Sequence, residues 1–151
     1  MSNHSDLAVY NRHRRLTAVV EVKNKRGTTR EWAARTRRNI LAHGPSIDAD
    51  FFLLVTPDRL YVWTGSGSSS TPTLPTHAID TDTHFQPYFQ RAHVDPTQVS
   101  GHAFELIVSS WLSELTRNGE STNHADEPAW LTQSGLRNAL SGGRVEHQAL
   151  A

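Results

Sequence analysis

Residues Leu16 to Gly27 read LTAVVEVKNKRG. The valine-rich first part is the strongest strand signal in the chain. Side chains alternate along a strand, so Thr17, Val19, Glu21 and Lys23 share one face, while Ala18, Val20 and Val22 share the other. Glu21 and Lys23 therefore leave the end of the strand together, about 7 Å apart at the backbone. An apolar strand that ends in an acid and an amine on one face is either a solvated strand end with a weak ion pair or half of a chemical site.

The preceding residues decide which. Asp6 to Tyr10, DLAVY, is a second short strand, and NRHRR between the two is a polar turn. Two strands joined by so few residues form a hairpin. With the turn near Arg12 and His13, Asp6 returns to the end of the hairpin where Glu21 and Lys23 emerge. Asp6, Glu21 and Lys23 are thus the candidate catalytic set. Its two carboxylates suit a hard divalent cation, Mg²⁺ or Mn²⁺, which takes one or two carboxylates and fills its remaining positions with water and substrate phosphate. The ammonium can orient a water or offset charge developing on a phosphoryl group. Lysine is also a selective choice here. The chain uses 13 arginines and only two lysines, Lys23 and Lys25, so a compact ammonium at position 23 is not the default cation.

Downstream, Thr28-Thr29-Arg30-Glu31 has the form of a capping box, with a threonine N-cap and a glutamate three residues on. It predicts a helix from about Thr29 to Ala42, stopped at His43-Gly44-Pro45. The apolar line of that helix is Trp32, Ala33, Thr36, Ile40 and Leu41, and Arg30, Arg35, Arg37 and Arg38 occupy much of the rest. FFLLV, Phe51 to Val55, is a buried central strand. Arg59 to Thr64, RLYVWT, pairs with it after a tight turn. The Ser/Gly/Pro-rich stretch 65–77 is a flexible loop. Beyond it, THFQPYFQR is a helical turn broken by Pro87. Phe104, Ile107, Val108, Trp111, Leu112 and Leu115 set a helix from about Gly101 to Thr116, capped by Ser100. A weaker helix spans Pro128 to Leu140. The expected organisation is one domain: a core over 1–64, the loop 65–77, and a helical extension over 78–151 that packs on the core.

Composition narrows the function classes. The absence of cysteine removes disulfides, thiolate metal sites and cysteine nucleophiles, and fits a reducing interior. No secretory leader pattern follows the first charges, and no uncharged apolar stretch approaches 18 residues; a soluble cytoplasmic protein without a membrane partner is expected. The zero net charge hides an asymmetry: residues 1–44 hold ten basic and three acidic residues, a local +7, and the remainder holds five and twelve, a local −7. A basic front half attracts phosphate, so Lys25, Arg26, Arg30, Arg35, Arg37 and Arg38 are candidate nucleic-acid contacts; the alternative is that the two halves neutralise each other. His77, His84, His93 and His102 lack metal-ligand spacing and are read as scattered surface residues. No HExxH, phosphate-binding glycine loop or GxSxG occurs.

Asp6, the hairpin, Glu21-Val22-Lys23, a helix and an apolar strand together resemble the PD-(D/E)XK nuclease superfamily, the restriction-endonuclease-like fold. EVKNKRGTTREWAARTRRNILAHG, continuing into DFFLLVTPDRLYVW, is similar to small prokaryotic proteins of that fold. The resemblance covers about residues 6–64. It implies an α/β protein with a mixed-sheet core, Asp6 and Glu21 as metal ligands, the Val22 carbonyl as a further ligand, Lys23 as the catalytic lysine, and DNA as the partner. The chain departs from the family pattern in two places. Ser5 stands where the motif has proline, and only five residues precede Asp6, where the family fold has a helix and a strand. The expectation is a divalent-metal-dependent nuclease-like hydrolase, with a second copy available to grip a duplex as a homodimer. The competing expectation is a catalytically inactive nucleic-acid-binding or assembly module on the same fold.

Overall fold

A computed structural model describes residues 6–43, 49–65, 72–117 and 128–147. The hairpin forms as expected: β1 (Leu7–Tyr10) pairs antiparallel with β2 (Leu16–Val22), Leu7 opposite Val20 and Ala8 opposite Val19. The Asn11 side chain closes the turn by accepting the N–H groups of His13 and Arg15 at 2.9 and 3.0 Å. Helix α1 (Arg30–His43) follows, and then β3 (Phe51–Val55) pairs parallel with β2. Parallel neighbours need a crossover, and α1 supplies it. β4 (Arg59–Thr64) returns antiparallel to β3.

The second half of the chain contains more than helices. β5 (His77–Asp80) pairs with β4, and β6 (Arg144–His147) pairs with β1, giving a six-stranded mixed sheet in the order β5-β4-β3-β2-β1-β6. The expected helical extension is therefore part of the same sheet, at both of its edges. Between these strands run α2 (Asp82–Ala92), α3 (Gly101–Arg117), α4 (Ala129–Gln133) and α5 (Leu136–Leu140). Together with α1 these make a mixed α/β architecture of three layers.

One face of the sheet, with Leu7, Val9, Ala18, Val20, Leu53 and Val62, is covered by the α3 stripe Phe104, Ile107, Val108, Trp111, Leu112 and Leu115, all buried. The other face packs Val19, Phe52, Leu54, Tyr61 and Trp63 against α1. Ser100 caps α3 as read from the sequence, its hydroxyl accepting the Ala103 N–H at 3.1 Å.

Several local expectations are corrected. The cap of α1 is Thr29, which accepts the Trp32 N–H at 3.1 Å, because the Thr28 hydroxyl is engaged with the Tyr61 hydroxyl at 2.7 Å. α2 continues through Pro87, held by Phe85 and Phe89, which are buried on either side of it. The weak C-terminal helix is split into α4 and α5 at Gly135, whose φ of +84° no helix accommodates. His84 is no surface residue: its ring sits among Phe85, Trp111 and Trp130. The Gly44-Pro45 stop and the Ser66–Thr71 part of the loop lie outside the described residues. Among the described residues, no helix is long and apolar enough to cross a membrane.

Candidate functional site

Asp6, Glu21 and Lys23 meet at one end of the hairpin. Asp6 directly precedes β1, and its carboxylate accepts the Val22 N–H at 2.7 Å, which ties it to the end of β2. Lys23 Nζ lies 3.7 Å from Glu21 Oε1. Glu21 is nearly buried, its side chain 9% exposed, whereas the Lys23 side chain is 43% exposed. The site is thus a buried acid beneath a solvent-facing amine. Glu21 Oε2 is buried and has no hydrogen-bond partner among the described residues. A carboxylate oxygen in that position leaves its desolvation uncompensated.

The titration of the two acids follows from this geometry. Burial, reinforced by the neighbouring charge of Asp6, pushes the Glu21 carboxyl up to about 7, while Lys23 and the Asp6 N–H pull the other way. Burial also raises Asp6, tempered by the Val22 N–H and by Lys23.

The segment after Lys23 is fastened on several sides. The Lys23 N–H continues the ladder to the Val55 carbonyl at 2.9 Å. Asn24 donates to the Val99 carbonyl at 2.8 Å, Arg26 donates to the Pro96 carbonyl at 3.1 Å, and the Gly27 N–H reaches Asp58 at 3.2 Å. These contacts fix the chain at the C-terminal ends of the parallel pair β2 and β3, where sites in α/β sheets tend to gather.

The other sequence candidates divide. Val22 contributes its N–H to Asp6, a contact made by its donor and not by its carbonyl. Lys25 Nζ lies over the Trp32 ring, 5.5 Å from its centre. Arg26 reaches across to Asp82 on α2 at 3.9 Å. Arg30, Arg35 and Arg38 are exposed on α1. Arg37 is not a surface contact: it is 3% exposed, with its guanidinium 5.5 and 5.3 Å from the ring centres of Phe52 and Trp63. Its planar cation stacks on the aromatic strand floor, an arrangement arginine tolerates better than lysine. Accordingly Arg37→Met, which keeps the length and apolar stem, should leave nucleic-acid affinity and its salt dependence unchanged. The same change should move stability by no more than about 1.5 kcal/mol. Filter binding at several salt concentrations and thermal denaturation check both.

The donor set is of the chemical kind that a small divalent cation takes. It offers hard oxygens from two carboxylates, one of which has a buried oxygen, Glu21 Oε2, without a hydrogen-bond partner among the described residues, and Mg²⁺ characteristically takes few protein ligands and keeps several waters. No group of three or more potential His, Cys, Asp or Glu ligands gathers among the described residues; any ion at this end of the hairpin would have Asp6 and Glu21 as its carboxylate ligands. Sequence reading missed the strand beside β1: β6 sets Arg144 opposite Tyr10 and Glu146 opposite Ala8. Its only local signal is the alternation of RVEH around Val145. Comparisons with protein families, curated proteins and solved structures return no match.

Proposed function

We propose that this protein is a divalent-metal-dependent phosphodiester hydrolase acting on nucleic acid, with a core of the restriction-endonuclease-like kind. The observation that carries the reading is the meeting of Asp6, buried Glu21 with its unpartnered oxygen, and Lys23 at the end of a parallel strand pair. Mg²⁺ or Mn²⁺, when bound, supplies Lewis-acid stabilisation of the phosphoryl oxygens and a more acidic water. Asp6 and Glu21 hold that charge in place, and the Val22 N–H and the sheet fix their geometry. Lys23, half in solvent, orients the attacking water and balances negative charge on the phosphoryl group. Water adds to phosphorus, the P–O bond to the leaving nucleotide breaks, and the departing oxygen takes up a proton. Exposed Arg30, Arg35 and Arg38 give a positive helix face suited to the backbone of DNA, the partner proposed, and a second copy in a homodimer would extend that grip over a duplex.

The test is cleavage of labelled single- and double-stranded DNA in Mg²⁺, Mn²⁺ or chelator. Lys23→Ala should reduce metal-dependent cleavage by about 100-fold or more while the fold survives, because the side chain it removes is half exposed. Undiminished cleavage by Lys23→Ala overturns the reading. A second reading, a binding module without catalysis, draws on the absence, among the described residues, of any group of three or more potential metal ligands. Salt-sensitive binding without cleavage in any metal would select it.

A further inference from the structure

The side of the sheet that carries the two carboxylates holds a second organised group. Along β1, alternation puts Asp6, Ala8 and Tyr10 on one face, and the register puts Arg144 opposite Tyr10 and Glu146 opposite Ala8. The opposite orientation of the intervening residues fixes this assignment. Val145 packs into the core beneath α3, and His147 Nε2 lies 3.2 Å from the Ser109 hydroxyl of α3. Arg144 and Glu146 must then project on the α1 side, with Glu21 and with the exposed arginines of α1.

Arg144 is unusually constrained for an exposed side chain. Its Nε donates to Glu146 Oε2 at 2.6 Å, and its guanidinium lies 5.1 Å from the centre of the half-buried Tyr10 ring. One edge of the guanidinium is tied and one face is stacked. Its terminal NH₂ groups have no partner among the described residues and are exposed, the side chain being 55% accessible. A guanidinium held this way has already lost much of its rotamer freedom, and its remaining donors form the planar fork that suits a phosphate. An ion pair that served only to blunt an edge strand would not require the aromatic platform.

The geometry points to the Tyr10–Arg144–Glu146 group as a phosphate clamp for the nucleic-acid strand engaged at the carboxylates. Tyr10 lies four residue steps from Asp6, about 13 Å along β1. The clamped phosphate is therefore a few backbone positions away from the one at Asp6 and Glu21. The inference rests on the phosphodiesterase reading for the identity of the strand. It adds a binding residue from the far end of the chain, on a strand the sequence does not announce.

The experiment measures fluorescence anisotropy of a labelled single-stranded oligonucleotide with the full chain in chelator, where no cleavage occurs, over a series of salt concentrations. Arg144→Ala should weaken binding roughly tenfold and lower the salt slope by about one. Arg144→Lys keeps a point charge but loses the fork and the stacking; it should bind roughly threefold more weakly and keep the slope. Circular dichroism and melting of each variant monitor the fold. If the alanine variant unfolds, the lysine variant carries the test alone. Unchanged affinity in a folded Arg144 variant overturns the clamp and leaves the hydrolase reading to the Lys23 assay. Absence of oligonucleotide binding by the unmodified chain in chelator also overturns the clamp, and the hydrolase reading is again left to cleavage in metal.

Discussion

Glu21→Gln should make the protein more stable at pH 8 and, in the same substitution, abolish metal-dependent cleavage. The expectation follows from the raised carboxyl of Glu21, pushed up to about 7 from the 4.5 it has when unfolded. A carboxyl with a raised folded pKa contributes stability that is fully present below about 4.5 and lost as pH rises through about 7. Above that range the native state holds a buried carboxylate whose Oε2 has no partner among the described residues. Neutral glutamine removes a penalty of about 3 kcal/mol, worth on the order of 10 °C in melting temperature for a domain of this size. Lys23 loses an ion-pair partner at 3.7 Å, which matters little for a side chain that is 43% exposed. Below pH 4.5 the two proteins should melt together. Added Mg²⁺ should stabilise the unmodified chain at pH 8 more than at pH 5.5, since metal and proton compete for the same oxygens, and should leave Glu21→Gln unmoved. Equal melting at pH 8 would mean that Glu21 is a solvated strand end after all.

His84 makes that pH profile more diagnostic. Burial lowers its imidazole to about 4, so the unfolded chain binds the proton first. Its stabilising contribution is present above about 6.5 and lost as pH falls through about 4. Between about 4.5 and 6.5 the His84 and Glu21 slopes have opposite signs, so in the unmodified protein the His84 slope is offset by those of Glu21 and of Asp6, whose carboxyl is also raised. Glu21→Gln removes one slope, so its stability should rise with pH through that window. Chemical denaturation at half-unit pH steps measures the difference.

What was legible in the sequence was what local periodicity encodes. Alternation in LTAVVEVK set the two faces of β2. The i, i+3, i+4 stripe set α3, and a five-residue turn between two short strands was enough to return Asp6 to Glu21. What was not legible depends on partners distant in the chain. Arg37 looked like part of a solvated face because its own helix cannot reveal that Phe52 and Trp63 lie beneath it. His84 looked scattered because Trp111 and Trp130, which enclose it, arrive much later. The cap of α1 moved by one residue because Tyr61 competes for Thr28. β6 has one apolar residue, and nothing in its four positions announces the pairing with β1. Yet β6 decides the shape of the site's surroundings, since it occupies the open edge of the strand that Asp6 begins.

That dependence gives the second large effect. Gly143→Ala should detach β6 and cost about 3 kcal/mol. Gly143 directly precedes β6, and a Cβ built there would overlap the Tyr10 carbonyl oxygen, with the Leu140 carbonyl oxygen at 3.2 Å on another side. Both obstacles are backbone, so no rotamer change relieves them. Either β1 bends or β6 slides off it. The neighbouring glycine provides the contrast. A Cβ at Gly142 would meet only the Arg12 side chain, at 3.5 Å, so Gly142→Ala carries only the strain of a φ of +75°, about 1–2 kcal/mol. Chemical denaturation should rank the two variants in that order. Amide exchange should then accelerate at those N–H groups of Leu7 to Tyr10 that face β6 in Gly143→Ala, while those facing β2 stay protected, and all should stay protected in Gly142→Ala. Because Arg144 follows the displaced glycine, the Gly143 variant should also lose oligonucleotide affinity while the Asp6–Val22 hydrogen bond, on the opposite flank of β1, persists. Equal exchange in both variants would show that β1 holds its shape without β6, and the clamp would then have to act from a strand free to move.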